Sequence, residues 1–164
     1  MRIFGLAGWS GSGKTTLLTA VIPELVARGL SVSTIKHAHH AFDIDQPGKD
    51  SWRHRQAGAS EVMVASSRRW ALMRELRDAP EPTLDGLVGR MAPVDLLLIE
   101  GFKFHPHPKL EVHRPALGKP VLYPDDPHIV AIACDAPLDA PLPLLPLDDP
   151  GAVARFIVGH TGLG

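Results

Sequence analysis

The sequence predicts an α/β chain of the P-loop nucleotide-binding type, with a mixed, mostly parallel sheet flanked by helices and a proline-rich C-terminal half of short strands. Three observations carry this. A short apolar run, Ile3 to Ala7, leads into "GWSGSGKTT" at residues 8–16, and apolar pairs at 17/18, 21/22 and 25/26 follow it. A second apolar run after Asp95, ending at Ile99, closes on Glu100 and Gly101. Eleven of the sixteen prolines fall between Pro106 and Pro150, which restricts that half to short or edge strands and rigid turns.

The glycine-rich stretch fits G-x-x-x-x-G-K-S/T as Gly8, Trp9, Ser10, Gly11, Ser12, Gly13, Lys14 and Thr15. Phosphate oxygens need several donors converging on one point, and a backbone with little Cβ bulk can curl its N–H groups inward to supply them. Lys14 would reach the β- and γ-phosphates, the Thr15 hydroxyl would ligate Mg²⁺, and the opening helix turns its positive end to the anion.

Composition sets the frame around this motif. A chain of 164 residues with 45% apolar and 21% charged content is long enough for one sizeable core, so a single domain over residues 1–164 is expected. The formal net charge of −1 supplies no global field toward nucleic acid or an anionic membrane. A lone Cys134 forms no intramolecular disulfide, no targeting segment precedes the first strand, and no apolar run approaches the ~18 residues of a membrane span. The expected location is the cytoplasm.

Helix one is expected from Lys14 to Arg28, with Gly29 as its stop and a kink at Pro23. A short strand, "SVSTIKH", precedes a polar loop and a short helix from Ser51 to Ala57, closed by Gly58. "EVMVAS" and "WALMREL" read as a hairpin across Ser66-Ser67-Arg68-Arg69, and "TLDGLVGRM" as a weak helix. "LEVHR", "PVLY" and "IVAIAC" read as short strands, and "DDPGAVARFIVGH" as a closing helix with an Asp cap and Pro150 in its first turn. Between Leu110 and Cys134 such strands offer preformed edges for a second copy and then for a partner enzyme.

Two further groups carry chemistry. An acid at the end of a buried strand, followed by glycine, holds the water shell of Mg²⁺ and brings a backbone N–H to the γ-phosphate, roles that fall to Glu100 and Gly101. Glu100 either touches the metal through water or orients the attacking water. The polar stretch 36–59 begins at the sheet edge where doubly wound folds place ligands. In it, Asp50 is either a partner of metal or water, or the N-cap of its helix. His39 and His40 are adjacent with no cysteine nearby, a weak zinc pattern. Two other classes share these features. A small-molecule kinase would use Arg53, Arg55, Arg68 and Arg69 as lid charges, and a metallochaperone GTPase would use His37, His39, His40, His105 and His107.

The combination of "GWSGSGKTTL", "TIKHAHH", "DQPGKDSWRHRQAGA", "LLLIEGFK" and "IVAIACD" resembles the molybdopterin-guanine dinucleotide biosynthesis adaptor protein B family over nearly the whole chain. The resemblance implies a dimeric GTP-binding protein with at most slow GTPase activity, which assists the guanylyltransferase that joins GMP to molybdopterin. It carries phosphate binding to Ser10, Gly11, Ser12, Gly13, Lys14, Thr15 and Thr16, Mg²⁺ to Thr15, and the switch-like acid to Glu100. No N/T-K-x-D guanine motif occurs in the chain, so guanine preference comes from the resemblance, with Asp135 as the acceptor from guanine N1 and N2.

Overall fold

The computed structural model describes residues 1–38 and 42–164. They form two compact units, one made of Met1–His37 with Met91–Gly164 and the other of Ala38–Arg90. Among the described residues no helix is long and apolar enough to cross a membrane.

The first unit holds β1 (Arg2–Ala7), α1 (Lys14–Val26), β2 (Val32–Lys36), and then, after the second unit, β5 (Leu96–Glu100), β6 (Lys109–His113), β7 (Ile129–Cys134), β8 (Leu144–Pro146) and α4 (Pro150–Thr161). The six strands lie in the order β2-β5-β1-β6-β7-β8, and every pairing is parallel. Alternation along the strands sends Phe4, Leu6, Leu96, Leu98, Leu110, Val112, Ala131 and Ala133 to one face, where they pack on Leu17, Leu18, Val21 and Leu25 of α1 and Val153, Ala154 and Ile157 of α4. Helix α1 runs on through Pro23 to Val26, and Gly29 takes the left-handed conformation that ends it. Asp149 caps α4 by accepting from the Ala152 N–H, with Pro150 in the first turn.

The proline-rich half departs from expectation in three ways. Strands β6 and β7 are interior, each flanked on both sides, so the stretch from Leu110 to Cys134 presents no open edge for a second chain. The prolines lie in the connections around these strands, and only Pro146 sits in a strand, the outermost one, where a missing donor breaks no ladder. "PVLY" is not a strand. Residues Tyr123–Asp125 form a 3₁₀ turn, because the Leu122 and Tyr123 N–H groups donate to the Glu111 carboxylate at 2.7 and 3.0 Å rather than to a neighbouring strand. Strand β8 arises from "LLP", a run too short to stand out in the sequence.

Glu111 belongs to a polar row. Lys109, Glu111 and His113 alternate with the core residues of β6 and all three are buried. Lys109 is 0% exposed, and its ammonium donates to Asp126 at 2.9 Å and to the His105 carbonyl at 2.8 Å. The Asp126 bond pins the segment between β6 and β7, and the His105 bond the segment leading into β6, on the sheet face that carries no helix of this unit.

In the second unit, α2 (Asp50–Gln56) packs on the antiparallel pair β3 (Glu61–Ala65) and β4 (Trp70–Arg74), and α3 (Leu84–Val88) follows. The hairpin is closed by Ser66, whose hydroxyl accepts from the Arg68 and Arg69 N–H groups. Arg55 ties the unit together through Asp43, Asp45 and Glu75, at 2.6, 3.2 and 2.8 Å. Met63, Val64, Trp70 and Leu72 of the hairpin are exposed.

Two outcomes follow. Asp126→Asn leaves the Lys109 ammonium buried without a counter-charge, and should lower unfolding free energy by about 3–5 kcal/mol in a denaturant titration; Lys109→Met combined with Asp126→Leu should recover most of that loss. Burial, helped by the neighbouring Lys109, His105 and His128 and opposed by Asp126, pushes His107 down to about 4 from 6.5. The unfolded chain therefore takes up a proton that the native ring refuses. Stability should be level above pH 6.5 and fall as pH drops from 6.5 toward 4, and His107→Gln should flatten that limb in thermal melts across the range.

Candidate functional site

The loop between β1 and α1 is built from backbone shape. Gly8 has φ +147°, and a Cβ there would stand 2.5 Å from the Val112 carbonyl oxygen, so only glycine lets the loop pass this close to β6. Gly13, at the N-cap of α1, is left-handed with no side-chain cap, which leaves the first N–H groups of a thirteen-residue helix facing outward. Ser12 Oγ is buried without a hydrogen-bond partner, an orphan that a ligand oxygen or a water would satisfy. Ser10, Gly11, Thr15 and Thr16 are exposed around it.

Lys14 folds across its own loop and donates to the Gly8 and Trp9 carbonyls, both at 2.9 Å. Burial holds its ammonium below the usual lysine range; Glu100 works against this shift, and Lys103 and Lys36 add to it. Three lysines thus surround the cradle. An anion arriving there meets cations already crowded together, which is the electrostatic condition for binding phosphate.

Glu100 is not merely a place where a strand reaches solvent. It is 7% exposed, accepts from Thr15 Oγ1 at 2.7 Å, and lies 3.3 Å from the Lys36 ammonium. Thr15 and Glu100, the two residues expected to serve Mg²⁺, are therefore in contact, and their oxygen atoms are separated by close to the roughly 2.9 Å between adjacent ligands of an octahedral Mg²⁺. The donor set is all oxygen, as a hard cation requires. Gly101 adopts φ +100°, and a Cβ there would lie 2.8 Å from His37 Cβ. Its N–H donates to the Leu6 carbonyl at 3.3 Å, extending the ladder between β5 and β1. Beyond it His37 and Phe102 stack at 4.5 Å, and Phe102 itself has φ +49°.

On the other flank, Arg114 donates to the Ser12 carbonyl at 3.1 Å and pairs with Asp135. Asp135, Arg114, Thr16, Pro137, Leu147 and Asp148 line a cleft of about 540 Å³. Trp9 stands at the loop's tip, its indole N–H donating to the Pro120 carbonyl at 2.8 Å, with Lys103 4.5 Å over its ring.

Asp50 belongs to the second unit. It is the first helical residue of α2, and Lys49 is the N-cap, so the capping role expected of Asp50 is not what the helix uses. Arg55, expected as a kinase lid charge, is taken up by its three carboxylates. His39 and His40 lie outside the described residues. Lys36 belongs to the charged stretch 36–59 at the ligand-bearing sheet edge, while Lys103 and Arg114 carry no motif of their own in the sequence; each follows or ends a strand, a position that marks them once the sheet edge bearing the loop is known.

An apolar strand, a glycine loop feeding a helix, and an acid at the end of the neighbouring strand define a P-loop α/β protein. The chain belongs to the family described as "Molybdopterin guanine dinucleotide synthesis protein B", whose profile matches residues 3–135. It is 45% identical to the Escherichia coli molybdopterin-guanine dinucleotide biosynthesis adapter protein over 95% of this chain and 91% of the relative. It is also 45% identical to the Haemophilus influenzae protein of that name, over 94% and 86%. A solved molybdopterin-guanine biosynthesis protein B superposes with a TM-score of 0.75 at 28% identity, covering 96% of this chain and 99% of that one.

Gly101→Ala should strain both the backbone and the contact with His37, lowering stability by about 1–3 kcal/mol in chemical denaturation.

Proposed function

We propose that the chain is a GTP-binding adapter that assists the attachment of GMP to molybdopterin, working with a molybdenum-cofactor guanylyltransferase and hydrolysing GTP slowly at most. The contact between Thr15 and Glu100 beside Lys14 carries this reading, because it joins a phosphate cradle to an oxygen pair suited to Mg²⁺. The adapter role is the one named for both bacterial relatives.

Each part has a residue to do it. Lys14 exchanges its two carbonyl partners for phosphate oxygens, and the N–H groups opening α1, with those of Ser10 to Thr16, hold the rest of the chain of phosphates. Bound Mg²⁺ would neutralise phosphate charge and fix its geometry. Thr15 would offer that ion a lone pair while its O–H donates to Glu100. The single oxygen Oε1 of Glu100 already serves Thr15 and Lys36, which suits anchoring rather than proton abstraction from water and accords with slow hydrolysis. The cleft beside Thr16 suits a nucleobase, with Asp135 as acceptor from guanine N1 and N2 once it turns from Arg114. A two-stranded sheet is marginal alone, and the exposed Met63, Val64, Trp70 and Leu72 favour assembly as a homodimer through that hairpin.

Wild type at GTP about 100-fold above Kd should gain about 2.7 kcal/mol of stability, and Lys14→Ala should gain none. In a reconstituted assay at limiting GTP, wild type should raise product formation by the guanylyltransferase and Lys14→Ala should not. Identical rates with wild type, variant or no added protein would overturn the proposal.

A further inference from the structure

We infer that Lys36 is a built-in stand-in for the divalent cation, holding the metal position between Thr15 and Glu100 until Mg²⁺ arrives with nucleotide. This rests on the reading that the loop binds GTP with Mg²⁺.

Lys36 ends β2 directly opposite Glu100 in the parallel register with β5, so the two side chains leave the sheet on the same face. Its ammonium is 3.3 Å from Glu100 Oε1 and donates to Thr15 Oγ1, also at 3.3 Å. Thr15 has one hydroxyl proton, and Glu100 takes it at 2.7 Å. What Lys36 meets on Thr15 is therefore the lone pair that a hard cation would use. One positive charge touches both oxygens expected to serve the metal.

Burial makes some such charge necessary. A carboxylate 7% exposed needs a counter-charge or a full set of donors; Lys14 acts on it only through space, its ammonium being hydrogen-bonded to the Gly8 and Trp9 carbonyls, whereas Lys36 touches it. Lys36 is also free to leave. Its side chain is 59% exposed, so breaking the pair returns a flexible ammonium to water at little cost. Metal and Lys36 then compete for one position. In the metal-free complex Lys36 stays and faces the phosphates; with Mg²⁺ it withdraws.

The test uses the whole protein and two readouts. Electron paramagnetic resonance of Mn²⁺ added to nucleotide-free protein should show Lys36→Met binding the ion about tenfold more tightly than wild type, as expected for removing one charge-assisted contact. Calorimetry with GTP should show the ratio of Kd without Mg²⁺ to Kd with Mg²⁺ widening by about tenfold in the same variant. Lys36→Gln should behave like Lys36→Met, Lys36→Arg like wild type, and Thr15→Val added to Lys36→Met should abolish the gain in Mn²⁺ affinity. A purely structural ion pair would change melting temperature alone. Unchanged Mn²⁺ affinity and an unchanged Mg²⁺ ratio in both neutral variants would overturn the inference. Failure of wild type to bind GTP would overturn the functional reading instead, while the Mn²⁺ measurement still decides the role of Lys36.

Discussion

One hydroxyl proton sets the geometry of the site. By donating to Glu100, Thr15 ties the first turn of α1 to the end of β5, two elements that the chain separates by eighty-five positions. The bond is meaningful only because Glu100 cannot move. Strand β5 is paired on both sides, in register with Leu6 of β1 and Lys36 of β2, and all five of its residues are buried. The carboxylate is thus delivered by a rigid strand to a fixed point beside the loop, and the loop's own shape follows from how closely Gly8 approaches β6. The site is an outcome of sheet order. Exchange any neighbour of β1 and the acid, the lysine and the glycine no longer converge.

The rest of the sheet obeys a different rule on each face. Toward α1 and α4 it is an apolar layer, tolerant of shape and driven by burial. Around β6 the opposite face is organised by charge: Lys109 meets Asp126, and Glu111 receives two backbone N–H groups from residues 122 and 123. Such contacts add little net stability compared with an apolar replacement, but they are directional and punish a wrong arrangement. A proline-rich connection with few apolar residues can hold one course under those terms. The same connection carries Pro120, whose carbonyl receives Trp9, so the polar row of β6 also reaches the tip of the loop.

Much of this was legible in the sequence where the cause is local. The strand, loop and helix from Arg2 to Val26 announce themselves through contiguous glycines and period-matched apolar pairs; the hairpin through alternation around Ser66; and α4 through Asp149 and Pro150. The acid at the end of β5 was readable because a buried run stopped on it. What could not be read depends on partners far along the chain. "PVLY" looks like a strand until Glu111 claims two of its N–H groups, and "LEVHR" looks like an edge until β1 and β7 are placed on either side of it. Lys36 lay in plain view among many charged residues, and only strand register distinguishes it from the others. Arg114 is similar, an ordinary cation at the end of a strand until the Ser12 carbonyl and Asp135 are placed beside it.

The position of β1 has a consequence for biosynthesis. It is made before either of its neighbours, since β5 and β6 begin only at Leu96 and Lys109. At bacterial or eukaryotic elongation speeds of about 5–20 residues per second, both edges of this apolar strand wait roughly 5–20 s for partners. Throughout that interval Phe4 and Leu6 have α1 to pack against but no strand paired beside them. A strand in the interior of the finished sheet is thus the one whose two edges stay unpaired longest in the nascent chain.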